Sequence, residues 1–131
     1  MFAPIIPVGS SKPIAPYVPG SLVGETLYVA GTLAIGPSGE TLHPGDIKGQ
    51  TRFVIEQVLK VVEAAGGGAE NIVYNAIFLK NREDYAAFNE VYAEFFGSNP
   101  PARYCVIAEL VRDDFLVELV STAHIGSSGG K

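Results

Sequence analysis

Two helical periodicities, each set between β-forming stretches, constrain this chain more than any other feature. From Asp46 to Ala65, the residues Val54, Val58, Val61, Val62 and Ala65 recur on one face of a helical period. Asp46 is placed to cap the start of that helix, and Gly66 can take the left-handed conformation that ends it. Asn71 to Lys80 then reads as a strand with apolar residues on both faces. Asn81 is expected to cap a second helix, with Tyr85, Phe88, Tyr92 and Phe95 on one face and Asn99-Pro100-Pro101 as its stop. Ahead of the first helix, Thr26 to Ala34 is rich in β-formers and is followed by the turn residues Gly36-Pro37-Ser38-Gly39. After the second come two more strands, Arg103 to Leu110 and Phe115 to Ile125, joined by Arg112-Asp113-Asp114. A helix between strands is what a crossover connection requires. The order β-β-α-β-α-β-β therefore predicts an α+β fold, one mixed sheet with both helices on one face.

The length of 131 residues and the lack of any linker point to one domain, residues 1–131. The first 25 residues carry Pro4, Pro7, Pro13, Pro16 and Pro19, which favour an extended arm or an edge strand over a helix. Gly126 to Lys131 is Gly/Ser-rich and is expected to be a flexible tail. In the last two strands Ile107 and Val120 are expected on one face, with Val106 and Leu119 on the other. A sheet apolar on both sides, with helices for only one, predicts association through the bare face.

Composition narrows the function. A formal charge of −5 opposes a general nucleic-acid binder, which needs a basic stripe to offset phosphate charge. The single Cys105 rules out a disulfide framework within the chain and a multi-thiolate metal site. His43 and His124 are isolated and lack metal-ligand spacing with a carboxylate or thiol, so no metal site is expected. There is no signal-peptide pattern and no apolar run of roughly 18 residues, which leads us to expect a cytoplasmic protein without membrane contact. Gly66-Gly67-Gly68 follows a helix instead of opening one, so it reads as a helix end and not a phosphate cradle.

Chemistry concentrates in the last strands. Arg103 and Cys105 are two residues apart and share a face. If the turn between these strands centres on Arg112-Asp113, Ile107 lies opposite Glu118 and Cys105 opposite Val120, which puts Glu118 on that same face. A one-residue shift would move Glu118 to the other side. An Arg fork binds a carboxylate bidentately, and a Glu can move protons or orient water. The same residues equally fit an ion pair at a subunit contact. Cys105 has no His neighbour in sequence to make it a nucleophile, which favours a small residue lining a site. Tyr17 is a packing residue or a lid, and Asn89 is either exposed or facing inward with a partner.

The runs Ala15-Pro16-Tyr17-Val18-Pro19-Gly20, Tyr28-Val29-Ala30-Gly31-Thr32, Phe88-Asn89-Glu90-Val91-Tyr92, Pro101-Ala102-Arg103-Tyr104-Cys105 and Val117-Glu118-Leu119 occur in order. Together they resemble the RidA (YjgF) family of enamine/imine deaminases, over nearly the whole chain from Ile5 to about Ile125. Within that family Ile5-Ile6-Pro7, Gly31-Thr32-Leu33-Ala34, Tyr92-Ala93-Glu94-Phe95-Phe96 and Ala123-His124-Ile125 are most similar to the RutC group, deaminases of 3-aminoacrylate. The resemblance implies a chorismate-mutase-like fold, a homotrimer with a central barrel, and clefts between subunits. It implies that Arg103 holds a substrate carboxylate, that Glu118 activates water, and that Cys105 lines the cleft. It further implies that Tyr17 and Asn89 line the site from a neighbouring subunit and that Gly31 supplies backbone near the ligand. No cofactor is implied. The sequence departs from many relatives at Ala30, where they carry Ser, and at Thr32, where RidA itself has Gln. Both bear on substrate identity more than on reaction type.

Overall fold

The computed structural model describes residues 1–10 and 13–126, so the expected tail lies outside the described residues except for Gly126. Its strands are β1 (Ala3–Ile5), β2 (Gly20–Val23), β3 (Thr26–Thr32), β4 (Ile72–Leu79), β5 (Ala102–Ile107) and β6 (Val117–His124). Helix α1 spans Ile47–Ala64 and α2 spans Tyr85–Phe96. The strands form one mixed sheet in the order β1-β2-β3-β6-β4-β5. The proline-rich start supplies the outer edge strand β1, where Pro4 faces Ser21 and its missing N–H breaks no inner ladder.

Both helices pack on the same face of the sheet, as the interleaved periods predict. Asp46 accepts a hydrogen bond from the Gly49 amide and so caps α1. Gly66, at φ +98°, ends the helix while the Gly67 amide returns to the Val62 carbonyl. Val54, Ile55, Val58 and Val62 of α1 meet Leu27, Ile77, Leu79, Val117 and Leu119 of the sheet, all of them fully buried. The start of α2 differs from expectation. Asn81 opens a 3-10 turn, Arg82–Asp84, and makes no capping bond to it. Asp84 precedes α2, again without a side-chain cap. Phe88, Val91, Tyr92 and Phe96 are the buried residues of α2, and Tyr85 turns outward. Packing of Phe88 and Tyr92 against the sheet therefore holds the helix where capping does not.

The expected hairpin between the last two strands is not formed. β4 lies between β5 and β6, parallel to the first and antiparallel to the second. Residues 108–116 are thus a link that passes over an intervening strand. The faces shift by one residue accordingly. Ile77 sits between Cys105 and Leu119, and Asn75 between Arg103 and Ser121, all on the helix-covered face. Phe78 sits between Val106 and Glu118, and Ala76 between Tyr104 and Val120, on the bare face. Ile107 therefore goes with Leu119, and Val106 with Val120, opposite to the expected grouping. The expectation of a bare apolar face stands. Tyr28, Tyr74, Tyr104 and Val106 lie exposed on it, and Tyr104 packs edge-on to Tyr74 and Phe78 at ring separations of 6.1 Å.

Candidate active site

Arg103 sits on β5 at the edge of the sheet, beneath α2. Helical spacing puts Tyr85, Asn89 and Tyr92 on the same side of α2, and all three meet its side chain. The guanidinium lies over the Tyr92 ring, 4.7 Å from the centroid. Its Nη2 donates to Asn89 Oδ1 at 2.9 Å and to the Tyr85 hydroxyl at 3.2 Å. Both bidentate edges of a guanidinium include that nitrogen. A carboxylate that takes the fork must displace one of these two partners, and exposed Tyr85 with the longer bond is the easier to displace. Cys105 follows on the same face, half-buried. Burial pushes its thiol up, and the nearby Arg103 charge offsets this only in part. Cys105 is thus held as a thiol, which suits a residue lining the site and not a thiolate nucleophile.

Glu118 is not part of this group. With β4 between the strands, its side chain leaves the opposite face of the sheet. It lies instead against Gly31 of β3, where an added Cβ would collide with the Glu118 carboxylate. Burial holds its carboxyl above the ordinary carboxylate range, and among the described residues no hydrogen bond offsets the loss of water. A register shift between Val29 and Thr32 lets Gly31 approach in this way. Beside it opens a cavity of about 320 Å3, lined by Tyr17, Ala30, Gly31, Thr32, Phe53 and Lys60 among others.

The residues that the sequence singled out therefore form two groups. Arg103, Cys105 and Asn89 come together at the β5 edge. Glu118, Gly31 and Tyr17 lie toward β3, two or three strands away at about 4.8 Å per strand. Sequence reasoning missed Tyr85 as a partner of Arg103, because its place in an apolar helical stripe disguised it. It also missed Asn75 and Ser121, discussed below. His124 stands 3.2 Å from Glu25 on the surface, far from either group in the fold. Among the described residues no three His, Cys, Asp or Glu side chains lie close enough to share a metal ion.

Residues 9–125 match the family described as endoribonuclease L-PSP, which takes in nearly all of the fold just set out. The chain belongs to this family, also called the YjgF/RidA family. Solved structures agree. The chain is similar to the YjgF gene product of E. coli, at 31% identity and a TM-score of 0.83, covering 93% of this chain and 98% of that one. It is similar to E. coli TdcF with bound serine, at 30% identity and a TM-score of 0.82, covering 92% and 98%. A Thermotoga maritima protein described as a putative endoribonuclease gives 27% identity and a TM-score of 0.88, covering 97% and 100%. In this YjgF/RidA chain, then, Arg103 and Glu118 lie on opposite faces of the sheet.

Proposed function

We propose that this protein is a cofactor-independent deaminase of small enamine or imine carboxylates, with each site assembled between copies of the chain in a homotrimer. The observation that carries the reading is the separation itself. An anchored cation with spare donors stands at one edge of the sheet, and a half-buried carboxylate, without a hydrogen-bond partner among the described residues, lies two strands away on the opposite face. Two different patches that must meet form a head-to-tail contact, and such contacts close into rings. The bare tyrosine-rich face supplies apolar surface for that association. The serine held by TdcF, a small molecule with a carboxylate and an amine, supports the substrate class.

In this reading Arg103 binds the carboxylate and supplies proximity. The enamine shifts a proton to carbon and becomes an imine. Glu118 takes a proton from water as its oxygen adds to the imine carbon. That proton passes to the nitrogen and gives the neutral carbinolamine; its hydroxyl proton then moves through Glu118 to the nitrogen as the C–N bond breaks, so ammonia leaves and the C–O bond becomes the carbonyl of a keto or aldehyde acid. A raised carboxyl pKa brings Glu118 closer to neutral pH, where a general base is most effective. Resemblance to the RutC group favours 3-aminoacrylate, which gives malonic semialdehyde. 2-Aminoacrylate and 2-aminomuconate are the alternatives.

A trimer that binds small carboxylates without turnover is the second reading, favoured by the fact that Arg103 alone would suffice for it. An RNA substrate is what the family description suggests, and the charge of −5 opposes it. The test is ammonia release from the three substrates, each generated in situ, beside Arg103→Ala and a no-protein control. Acceleration on one substrate that Arg103→Ala abolishes supports the deaminase. No acceleration on any of them favours the binding protein.

A further inference from the structure

A buried polar row crosses the sheet beneath the site. Ser121, Asn75 and Arg103 stand side by side on β6, β4 and β5, all on the helix-covered face. Ser121 Oγ donates to Asn75 Oδ1 at 2.5 Å, and Asn75 Nδ2 donates to the Tyr92 hydroxyl at 3.0 Å. Asn75 and Ser121 are fully buried, and Tyr92 nearly so. Burying an amide and two hydroxyls inside a core costs hydration that an apolar trio of the same shape would avoid. The row lies within the hydrocarbon core, with Phe88 and Phe96 packed against the Tyr92 ring. What the row touches at its open end is the ring on which the Arg103 guanidinium lies.

We propose that Ser121, Asn75 and Tyr92 are positioning residues, a buried relay that fixes the tip and long axis of the Tyr92 ring and through them the seat of the Arg103 fork. The inference rests on the carboxylate-anchoring role given to Arg103 above. A hydrogen bond at the hydroxyl tip fixes where the long axis of the ring points, and the Phe88 and Phe96 rings, 5.5 and 4.7 Å away, limit its rotation about that axis. The guanidinium that lies on it is tied as well by Nη2 to Asn89 and Tyr85. Phe88, 5.8 Å from the guanidinium and tilted against Tyr92, closes the other side. Displacement of Tyr85 by a carboxylate would leave the fork unsupported on that edge. The relay keeps it aimed while the exchange occurs.

The test combines kinetics with a direct view of Arg103. Tyr92→Phe keeps the ring and removes the tip. Ser121→Ala removes the far end of the relay at little cost in volume. Each is expected to raise KM for the substrate by about three- to tenfold, the scale of one lost hydrogen bond, with little change in kcat. Independently of turnover, the Arg103 Nε–H resonance of the intact protein should broaden in both variants, and its shift on adding sodium acrylate should need about three- to tenfold more ligand. An unchanged resonance and titration in both variants would overturn the relay, and so would an unchanged KM in both. Failure of the deaminase reading would show separately, as no ammonia release from the unmodified protein.

Discussion

Glu118 and Gly31 carry the sharpest consequences at the scale of single residues. Burial disfavours the Glu118 carboxylate, yet the proposed chemistry needs it as a proton acceptor. Activity should therefore fall as pH drops, with a midpoint above the ordinary value of about 4.3. Glu118→Gln is expected to lower kcat by about 10²–10⁴ and to leave acrylate binding intact. The same group has a stability signature of opposite sense. A carboxyl with a raised pKa in the folded state contributes stability at low pH that is lost as pH rises through that pKa. Glu118→Gln should then melt higher than the unmodified protein near pH 7, with the gap closing in acid, which calorimetry at two pH values would reveal. Gly31→Ala places a methyl group against that carboxylate. It should reduce both turnover and thermal stability, and its stability cost should shrink in a Glu118→Ala background, because the clash partner is gone.

At the scale of elements, the helices and the strand between them are legible in the sequence because their signals are local. Asp46, the Val54–Val58–Val62 stripe and Gly66 all act as their residue types suggest. The last two strands are not legible in the same way. Arg112-Asp113-Asp114 looks like a turn, and nothing in the local pattern says that β4, from far earlier in the chain, will pair between them. That insertion is a long-range choice, and it moves Glu118 to the other face. Arg103 and Cys105 stay together because two-residue spacing on one strand is a local property. Asn75 was readable only as an amide inside an apolar strand, a signal that a buried partner had to exist. The link that replaces the hairpin is tied down by Gln50 of α1. Its amide donates to the Asp114 and Leu42 carbonyls and its oxygen accepts from the Leu116 amide. Gln50→Leu should strand these groups and cost about 2–4 kcal/mol, measurable by chemical denaturation.

For the whole molecule, the bare face and the divided site make one statement. Tyr28, Tyr74 and Tyr104 are costly to leave in water, and the residues able to do chemistry cannot meet within a chain. Tyr104→Asp puts a charge on the β5 edge of that face, against Tyr74 and Phe78. In sedimentation it should give monomers that keep their helical signal and lose activity. Association between copies is the use we propose for this exposed apolar surface. The measurement that tests the account most directly is complementation between two inactive variants. Arg103→Ala and Glu118→Gln would each be purified, then mixed under conditions that allow subunits to exchange. If each site takes Arg103 from one copy and Glu118 from another, mixed rings contain sites with both native residues, and ammonia release returns well above the sum of the separate variants. If activity stays at that sum although mixed rings form, both residues serve a site within one chain, and the divided-site account is wrong.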